Sequence, residues 1–584
     1  MTLNDIHSPA DIKRLSISEL QSITKDIRDA LLTKLSRHGG HIGPNLGMVE
    51  MSVALHYVFD LPTDKIVYDI SHQSYVHKML TGRMEAFTDP AHYDDVTGFT
   101  NPNESPTDVF TIGHTSTGVS LAGGLVKARE LRGGKENIIA VVGDGSLSGG
   151  EAFEGLDFAA TLTSNFIIVV NDNDMSIAEN HGGLYRGLQR LRETDGADPC
   201  NYFRALGLDY RYVAYGNDIE SLIKAFRAVK NIDHPIVVHV ATQKGKGYAP
   251  AEADREKFHF GGPFDIATGN PLHISEAPDY ADITANYMLN LMKQDPTAVA
   301  ITAGTPGVIG FTPERRAEAG RQFVDVGIAE QEAVAPASGI AKGGGKPMFG
   351  VVSSFVQRAY DQISQDLSIN GSPAVITIFY GTICGMNDVT HLGWFDIALL
   401  SNIPGIIYLA PTCLEEYMAM LDWAMKQQSY PVVIRIPGGA VVETGRKFPA
   451  DYSDLNSYMV TRRGRKVSII AAGAFYKLGE TVADELKAKG IDCTLINPRY
   501  LSGVDSQLLL ELTKDHQLTV TLEDGVLDGG FGEKIARFYG DTDMKVLCYG
   551  VKKEFKDGFR YDEILTANRL TVPQITDDIL SALK

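Results

Sequence analysis

Two apolar runs that end on oxygen-bearing side chains restrict the folds open to this chain more than any other feature. Ile138–Val142 passes through Gly143 into Asp144-Gly145-Ser146, and Phe166–Val170 passes through Asn171 and Asp172 to Asn173. Asp144 and Asn173 are 173 − 144 = 29 residues apart, about one helix and its turns. Short, β-branched, unpolar runs separated by helical stretches belong to a parallel sheet covered on both faces. The expected fold class is therefore α/β. Two strand ends that offer hard oxygen donors suit Mg²⁺, which takes one or two protein oxygens and completes its shell with phosphate and water. The flanking glycines let backbone approach a diphosphate closely.

The same alternation continues along the chain. Ser16-Ile17-Ser18-Glu19 has capping-box spacing, and Leu20, Ile23, Ile27, Leu31 and Leu35 follow at helical period. Ile236–Val240 reads as a further strand. A Gly/Pro-rich stretch, about residues 261–280, reads as a linker. Strands are expected near Ala298–Thr302, Gln322–Val326, Pro347–Val352, Ala374–Phe379 and Ile406–Ala410, then a polar segment from Asp451 to Arg465, and a third unit opening at Lys466–Gly473. The reading is three consecutive parallel-sheet α/β domains, at 1–270, 281–445 and 456–584. With 44% apolar and 22% charged residues the 584-residue chain is of ordinary globular composition. Its net charge of −19 disfavours nucleic acid as a partner. Cys200, Cys384, Cys413, Cys493 and Cys548 form no Cys-x-x-Cys, the N-terminus lacks a signal-peptide pattern, and no apolar run approaches the ~20 residues of a bilayer span. A cytoplasmic protein that does not enter membranes is expected.

Phe323-Val324-Asp325-Val326-Gly327-Ile328-Ala329-Glu330 reads as a strand feeding a helix, with Glu330 at the carboxyl edge where α/β proteins bind ligands. Gly-Asp-Gly, a strand ending in Asn, and this Glu together resemble the thiamine diphosphate enzymes. Longer matches narrow the resemblance to the 1-deoxy-D-xylulose-5-phosphate synthase family, which is transketolase-like. They include Gly40–Gly47, Asp69–Arg83, Gly113-His114-Thr115, Lys244-Gly245-Lys246-Gly247-Tyr248, Ala329-Glu330-Gln331 and Phe355–Gln362, so nearly the whole chain is covered. The resemblance implies thiamine diphosphate and Mg²⁺ as cofactors, with Asp144, Asn173 and the Met175 carbonyl at the metal. It implies that His72, Gly113, His114, Thr115, Gly145, Ser146, Asn173 and Tyr248 line the diphosphate and thiazolium. Glu330 would activate the ring, Phe355 would stack on the aminopyrimidine, and His41, His391 and Arg358 would face substrate. A buried carboxyl at Glu330 would have the raised pKa that this task needs. His56 and His77 are read as structural. The implied reaction is decarboxylation of pyruvate and transfer of the two-carbon unit to glyceraldehyde 3-phosphate, by a homodimer serving isoprenoid and thiamine biosynthesis.

The departures from the family lie on the acceptor side. Arginines are usual where this chain has Tyr380 and Gly438, tyrosine where it has Val352, aspartate where it has Asn387 and histidine where it has Glu332. The chain between Asn180 and Asp218 is also short for the family. Arginine holds phosphate through a charged planar fork that neither Tyr nor Gly reproduces. Arg358, Arg435 and Lys246 remain as cations, and Asp388 stands beside Asn387. Two alternatives follow: a transketolase-like carboligase with a different or unphosphorylated aldehyde, and a thiamine diphosphate-binding protein without turnover.

Overall fold

The computed structural model describes residues 2–273 and 277–584, so residues 274–276 of the expected linker lie outside the described residues. Three sheets succeed one another. The first holds β1 (Lys65–Tyr68), β2 (Ile138–Gly143), β3 (Phe166–Asp172), β4 (Asp209–Val213) and β5 (Pro235–Ala241), in the order β1-β2-β3-β5-β4 and all parallel. The second holds β6 (Ala298–Thr302), β7 (Phe323–Asp325), β8 (Lys346–Val352), β9 (Val375–Phe379), β10 (Ile407–Leu409) and β11 (Val432–Arg435), in the order β10-β11-β9-β8-β6-β7, again all parallel. The third holds β12 (Met459–Arg462), β13 (Lys466–Ala471), β14 (Thr494–Asn497), β15 (His516–Val526) and β16 (Lys545–Val551), in the order β12-β14-β13-β15-β16. Here β12 runs antiparallel to β14 while the other pairs are parallel.

The unbroken apolar runs are explained by what covers them. In β2, Ile139 and Val141 join one core while Ile138, Ala140 and Val142 join the core on the opposite face. In β3, Ile167 and Val169 divide from Phe166, Ile168 and Val170 in the same way. Each fully buried Val or Ile stabilises by about 1.5–3 kcal/mol relative to exposure, and a polar residue on either face would forfeit that. The first long helix, Ile17–His38, starts on the expected box: Ser16 Oγ accepts from Glu19 N–H at 3.4 Å and Glu19 Oε2 accepts from Ser16 N–H at 2.8 Å. Its Leu20, Ile23, Ile27, Leu31 and Leu35 are buried in the first of those cores.

The described chain forms two compact units, Met1–Glu276 with Val326–Ala329, and Ala277–Asp325 with Glu330–Lys584. Within the second unit, a buried ion cluster ties the second sheet to the third. Arg435, at the end of β11, donates from Nε to Asp396 Oδ2 at 2.7 Å, from Nη1 to Asp524 on β15, and from Nη2 to Asp396 Oδ1 at 3.2 Å and the Asp524 carbonyl at 3.2 Å. Tyr408 of β10 adds a hydroxyl bond to Asp396. The three charged residues are each under 5% exposed. The segment from Asp451 to Arg465, read as polar, contains edge strand β12, whose half-buried Met-Val-Thr-Arg carries too little apolar signal to stand out.

Removing one member of a buried ion cluster strands the others without compensation and costs about 3–5 kcal/mol. Arg435→Ala is expected to lower unfolding stability by that amount in urea titration. The neutral set Arg435→Met, Asp396→Asn and Asp524→Asn should recover most of it, and equal losses in the two variants would show that packing, not charge, matters here.

Candidate active site

The carboxyl ends of β1, β2, β3 and β5 open onto one cleft of the first unit, with about 60 Å³ of free space. β1 leads to Ile70, His72 and Gln73, β2 to Asp144, Gly145 and Ser146, β3 to Asn173, Met175 and Ser176, and β5 to Lys244 and His259; Thr115 completes the wall. β2 and β3 are hydrogen-bonded neighbours, with Gly143 opposite Asn171, so their ends lie side by side. The loop geometry leaves no room for larger residues at two glycines. A Cβ on Gly145 would stand 2.8 Å from Ser176 Oγ, and one on Gly149 only 2.3 Å from Ser116 Oγ. Asp69, just after β1, accepts from Ser116 N–H and Gly118 N–H, both at 2.9 Å. It thereby caps the helix Gly118–Arg132 and fixes the Thr115 loop.

Two acidic side chains meet at this edge and are treated differently. Asp172 accepts from Arg192 Nη1 at 2.8 and 2.7 Å and is 2.8 Å from His239 Nε2, and the Tyr210 hydroxyl bonds the other ring nitrogen, Nδ1, at 2.8 Å. Arg192 Nη2 also holds Asp174 Oδ1 at 2.7 Å, so one guanidinium grips both acids that flank Asn173. Asp144 receives neutral donors: Met175 N–H at 3.0 Å and Asn180 Nδ2 at 2.7 Å. Burial, and then the Asp172 carboxylate, push its carboxyl up to about 7. Nearby, the buried oxygens Asn173 Oδ1, Asn180 Oδ1 and Ser176 Oγ accept no hydrogen bond. A buried acid with surplus charge beside amide and hydroxyl oxygens that lack donors is the ligand set that suits Mg²⁺. The residues present fit that ion and a diphosphate.

Beside this edge three histidines gather. His41 lies 4.6 Å from His72 and 5.7 Å from His259 between ring centroids, and His72 lies 5.2 Å from His259. His72 is oriented by Gln73 Oε1 at 2.9 Å, and Asn45 Nδ2 bonds the carbonyls of both His41 and His72 at 2.8 Å. Burial, then the charge of Lys244, holds His259 well below the ordinary histidine value. Lys244 is buried as well, donates to the Ser176 carbonyl at 2.6 Å, and is brought down to about 7 by that burial. Sequence reasoning gave His259, Lys244, Asn180 and Arg192 no role. His259 sits between Phe258 and Phe260 just before the Gly/Pro-rich stretch, an aromatic flank that could have drawn attention to it. Tyr248 is placed differently from the cleft residues: it packs in the core against Phe258 and Phe264, its hydroxyl donating to the Ile266 carbonyl at 2.8 Å. Gly113 and His114 precede Thr115 without lining the cleft. His56 and His77 form a buried chain, His56 Nε2 to His77 Nδ1 at 2.9 Å and His77 Nε2 to Asp108 at 2.8 Å, which accords with a structural role.

In the second unit, Glu330 is the first residue of the helix Glu330–Lys342, which follows β7. It is 2% exposed, and burial raises its carboxyl above the usual range. Its Oε2 accepts no hydrogen bond, with Arg358 Nη1 at 3.6 Å. Phe355 follows β8 and faces the His391 ring at 5.3 Å and 67°. His391 Nδ1 is 3.1 Å from Asp388 Oδ1, so Asp388 supplies a carboxylate beside Asn387, whose amide instead bonds the Phe559 carbonyl at 3.3 Å. Arg435, one of the cations left on the acceptor side, is fully engaged by Asp396 and Asp524. No helix among the described residues is long and apolar enough to cross a membrane.

Three family descriptions match the chain: 1-deoxy-D-xylulose-5-phosphate synthase over residues 3–199, transketolase pyrimidine binding domain over 276–442, and transketolase C-terminal domain over 457–575. A Pelotomaculum thermopropionicum protein named 1-deoxy-D-xylulose-5-phosphate synthase is 36% identical, covering 99% of this chain and 96% of its own. Similarly named proteins from Clostridium acetobutylicum and Geobacter sulfurreducens are each 37% identical, covering 95% of this chain and 95% and 93% of their own.

Arg192→Ala is expected to weaken Mg²⁺ binding by about 10–100-fold, as removal of outer-layer partners does, read as a smaller rise in Tm on adding Mg²⁺. Arg192→Lys, which keeps the charge without the fork, should recover only part. The pH dependence has a definite sign. Asp144 is raised to about 7, so the stability its neutral form contributes is complete below the unfolded value of ~3.9 and is lost as pH rises through about 7. Mg²⁺ competes with that proton, so the Tm gap between metal-loaded and metal-free protein should widen from pH 5 to 8. A constant gap would refute this account of Asp144.

Proposed function

Because the chain belongs to the 1-deoxy-D-xylulose-5-phosphate synthase family, we propose that it decarboxylates pyruvate and transfers the two-carbon unit to glyceraldehyde 3-phosphate. Thiamine diphosphate with Mg²⁺ is the cofactor pair, and the product is 1-deoxyxylulose 5-phosphate, a precursor for isoprenoid and thiamine biosynthesis. The observation that carries the reading is the buried Asp144 carboxyl, met by neutral donors alone and flanked by amide oxygens that lack donors.

When bound, the cofactor supplies a thiazolium that takes up the electron pair released as CO₂ leaves. The protein's share is binding, orientation and proton handling. Asp144, the Asn173 amide oxygen and the Met175 carbonyl would hold the metal, and Gly145, Ser146, Thr115 and His72, which line the same cleft, would meet the diphosphate. Glu330, whose carboxyl pKa is raised by burial, would meet the aminopyrimidine nitrogen and assist its proton transfer, and Arg358 limits how far its proton affinity rises. Phe355 offers a flat apolar face for that ring. His41 and His72, held in place by Asn45, and His259, neutral through burial, exchange protons with the carbonyl and hydroxyl oxygens of the substrates. His391, oriented by Asp388, does the same from the second unit. The reading extends to a homodimer in the cytoplasm, supported by the family resemblance and by five unpaired cysteines.

The test is CO₂ release from pyruvate with product mass. Release that depends on both cofactors and accelerates with glyceraldehyde 3-phosphate is expected, and its absence rejects the reading. Glu330→Ala should preserve Mg²⁺-dependent cofactor binding while slowing exchange of the thiazolium C2 proton by ~10²–10⁴-fold, the usual span for an acid–base group. Unaltered exchange would remove Glu330 from this role.

A further inference from the structure

A second cavity, of about 230 Å³, opens in the second unit at the carboxyl ends of β9 and β11. These strands neighbour β8 in the order β11-β9-β8, so the cavity shares a sheet edge with Phe355, which follows β8. The loop that leaves β9 at Tyr380 returns through His391, whose ring faces Phe355. The cavity thus lies along the same strand ends as Phe355 and His391, two residues given a place in the proposed site. Its volume is below the ~300–1,000 Å³ of pockets for drug-sized ligands and suits a short aldehyde.

The wall chemistry is neutral to acidic. Among the described lining residues the one charged side chain is Asp279, an anion. Arg435 lies behind Gly381, where an added Cβ would stand 3.1 Å from its Cγ and Nε, and its guanidinium is consumed by Asp396 and Asp524. At Gly438 a Cβ would stand 2.3 Å from the Thr382 side chain, so no longer residue fits there without displacing that wall. Tyr380 projects into the cavity, 45% exposed, from a backbone at φ 57°. A phosphate placed here would meet hydroxyl groups and a carboxylate, with no cation to offset its desolvation.

Resting on the function proposed above, we infer that this cavity is an acceptor pocket that does not select for phosphate, so that unphosphorylated short aldehydes serve nearly as well as triose phosphate. The chemistry is unchanged: the bond from the pyruvate carbonyl carbon to its carboxylate breaks and CO₂ leaves. That carbon bonds to the aldehyde carbon, and the aldehyde oxygen takes one proton. Pyruvate, D-glyceraldehyde and a proton thus give 1-deoxy-D-xylulose and CO₂ with no net redox change. Tyr380 is the specificity-determining position.

The experiment measures kcat/KM for D-glyceraldehyde 3-phosphate and for D-glyceraldehyde at saturating pyruvate. The wild-type preference for the phosphorylated form is expected to be less than about tenfold, the lower bound of what one charge-assisted bond confers; a larger preference overturns the inference. Tyr380→Arg should raise that preference by about tenfold or more through the KM of the phosphorylated aldehyde, and Tyr380→Phe should leave it unchanged. An unchanged preference in a folded Tyr380→Arg protein places the acceptor elsewhere and overturns the inference too. Failure to release CO₂ from pyruvate with either aldehyde would instead reject the proposed function itself, and the inference with it.

Discussion

A buried carboxylate hydrogen-bonded by neutral donors alone is the constraint from which the first unit's edge is built. Asp144 and Asp172 close neighbouring strands and repel each other, and the hydrogen-bonded guanidinium goes to Asp172 while Lys244 acts on Asp144 only from a distance. Arg192 neutralises Asp172 and His239 adds a hydrogen bond, whereas Asp144 is hydrogen-bonded by a backbone N–H and an amide. An acid in that position either takes up a proton or waits for a cation. The neighbouring oxygens without donors make the second outcome the useful one. The tight turn glycine at 145, the capped Thr115 loop and the buried Lys244 close around this place.

Much of the scaffold was legible because its signal is local. β2, β3 and β5 and five of the six strands of the second sheet were read from their apolar runs, and the observed Ala298–Thr302 has the bounds read from sequence, whereas β11 was not singled out although it is as apolar as its neighbours. β1, β4 and β12 escaped notice for a physical reason. β1 is only four residues long, while β4 and β12 are edge strands that alternate polar residues and are partly exposed. Glu330 could be expected to be buried from its strand-to-helix position, and it is.

The side chains that sequence reasoning passed over share a different property: they act across distance in the chain. Arg192 reaches Asp172 over twenty residues, and His259 joins His41 and His72 from more than 180 residues away. No periodicity or spacing encodes such meetings; they exist only once the sheet has brought loop ends together. Tyr248 shows the converse. A residue inside a recognisable motif turns out to be packed in the core, its hydroxyl already engaged.

The Arg435 cluster has a consequence for inheritance. Its cation comes from the second sheet and one of its anions from the third. A crossover between codons 435 and 524 with a gene that lacks the cluster would separate Asp524 from the Arg435–Asp396 pair. Such a recombinant would bury Arg435 with one acid in place of two, or Asp524 with no arginine, at a cost of about 3–5 kcal/mol. The two modules, separable on paper, are expected to travel together through descent.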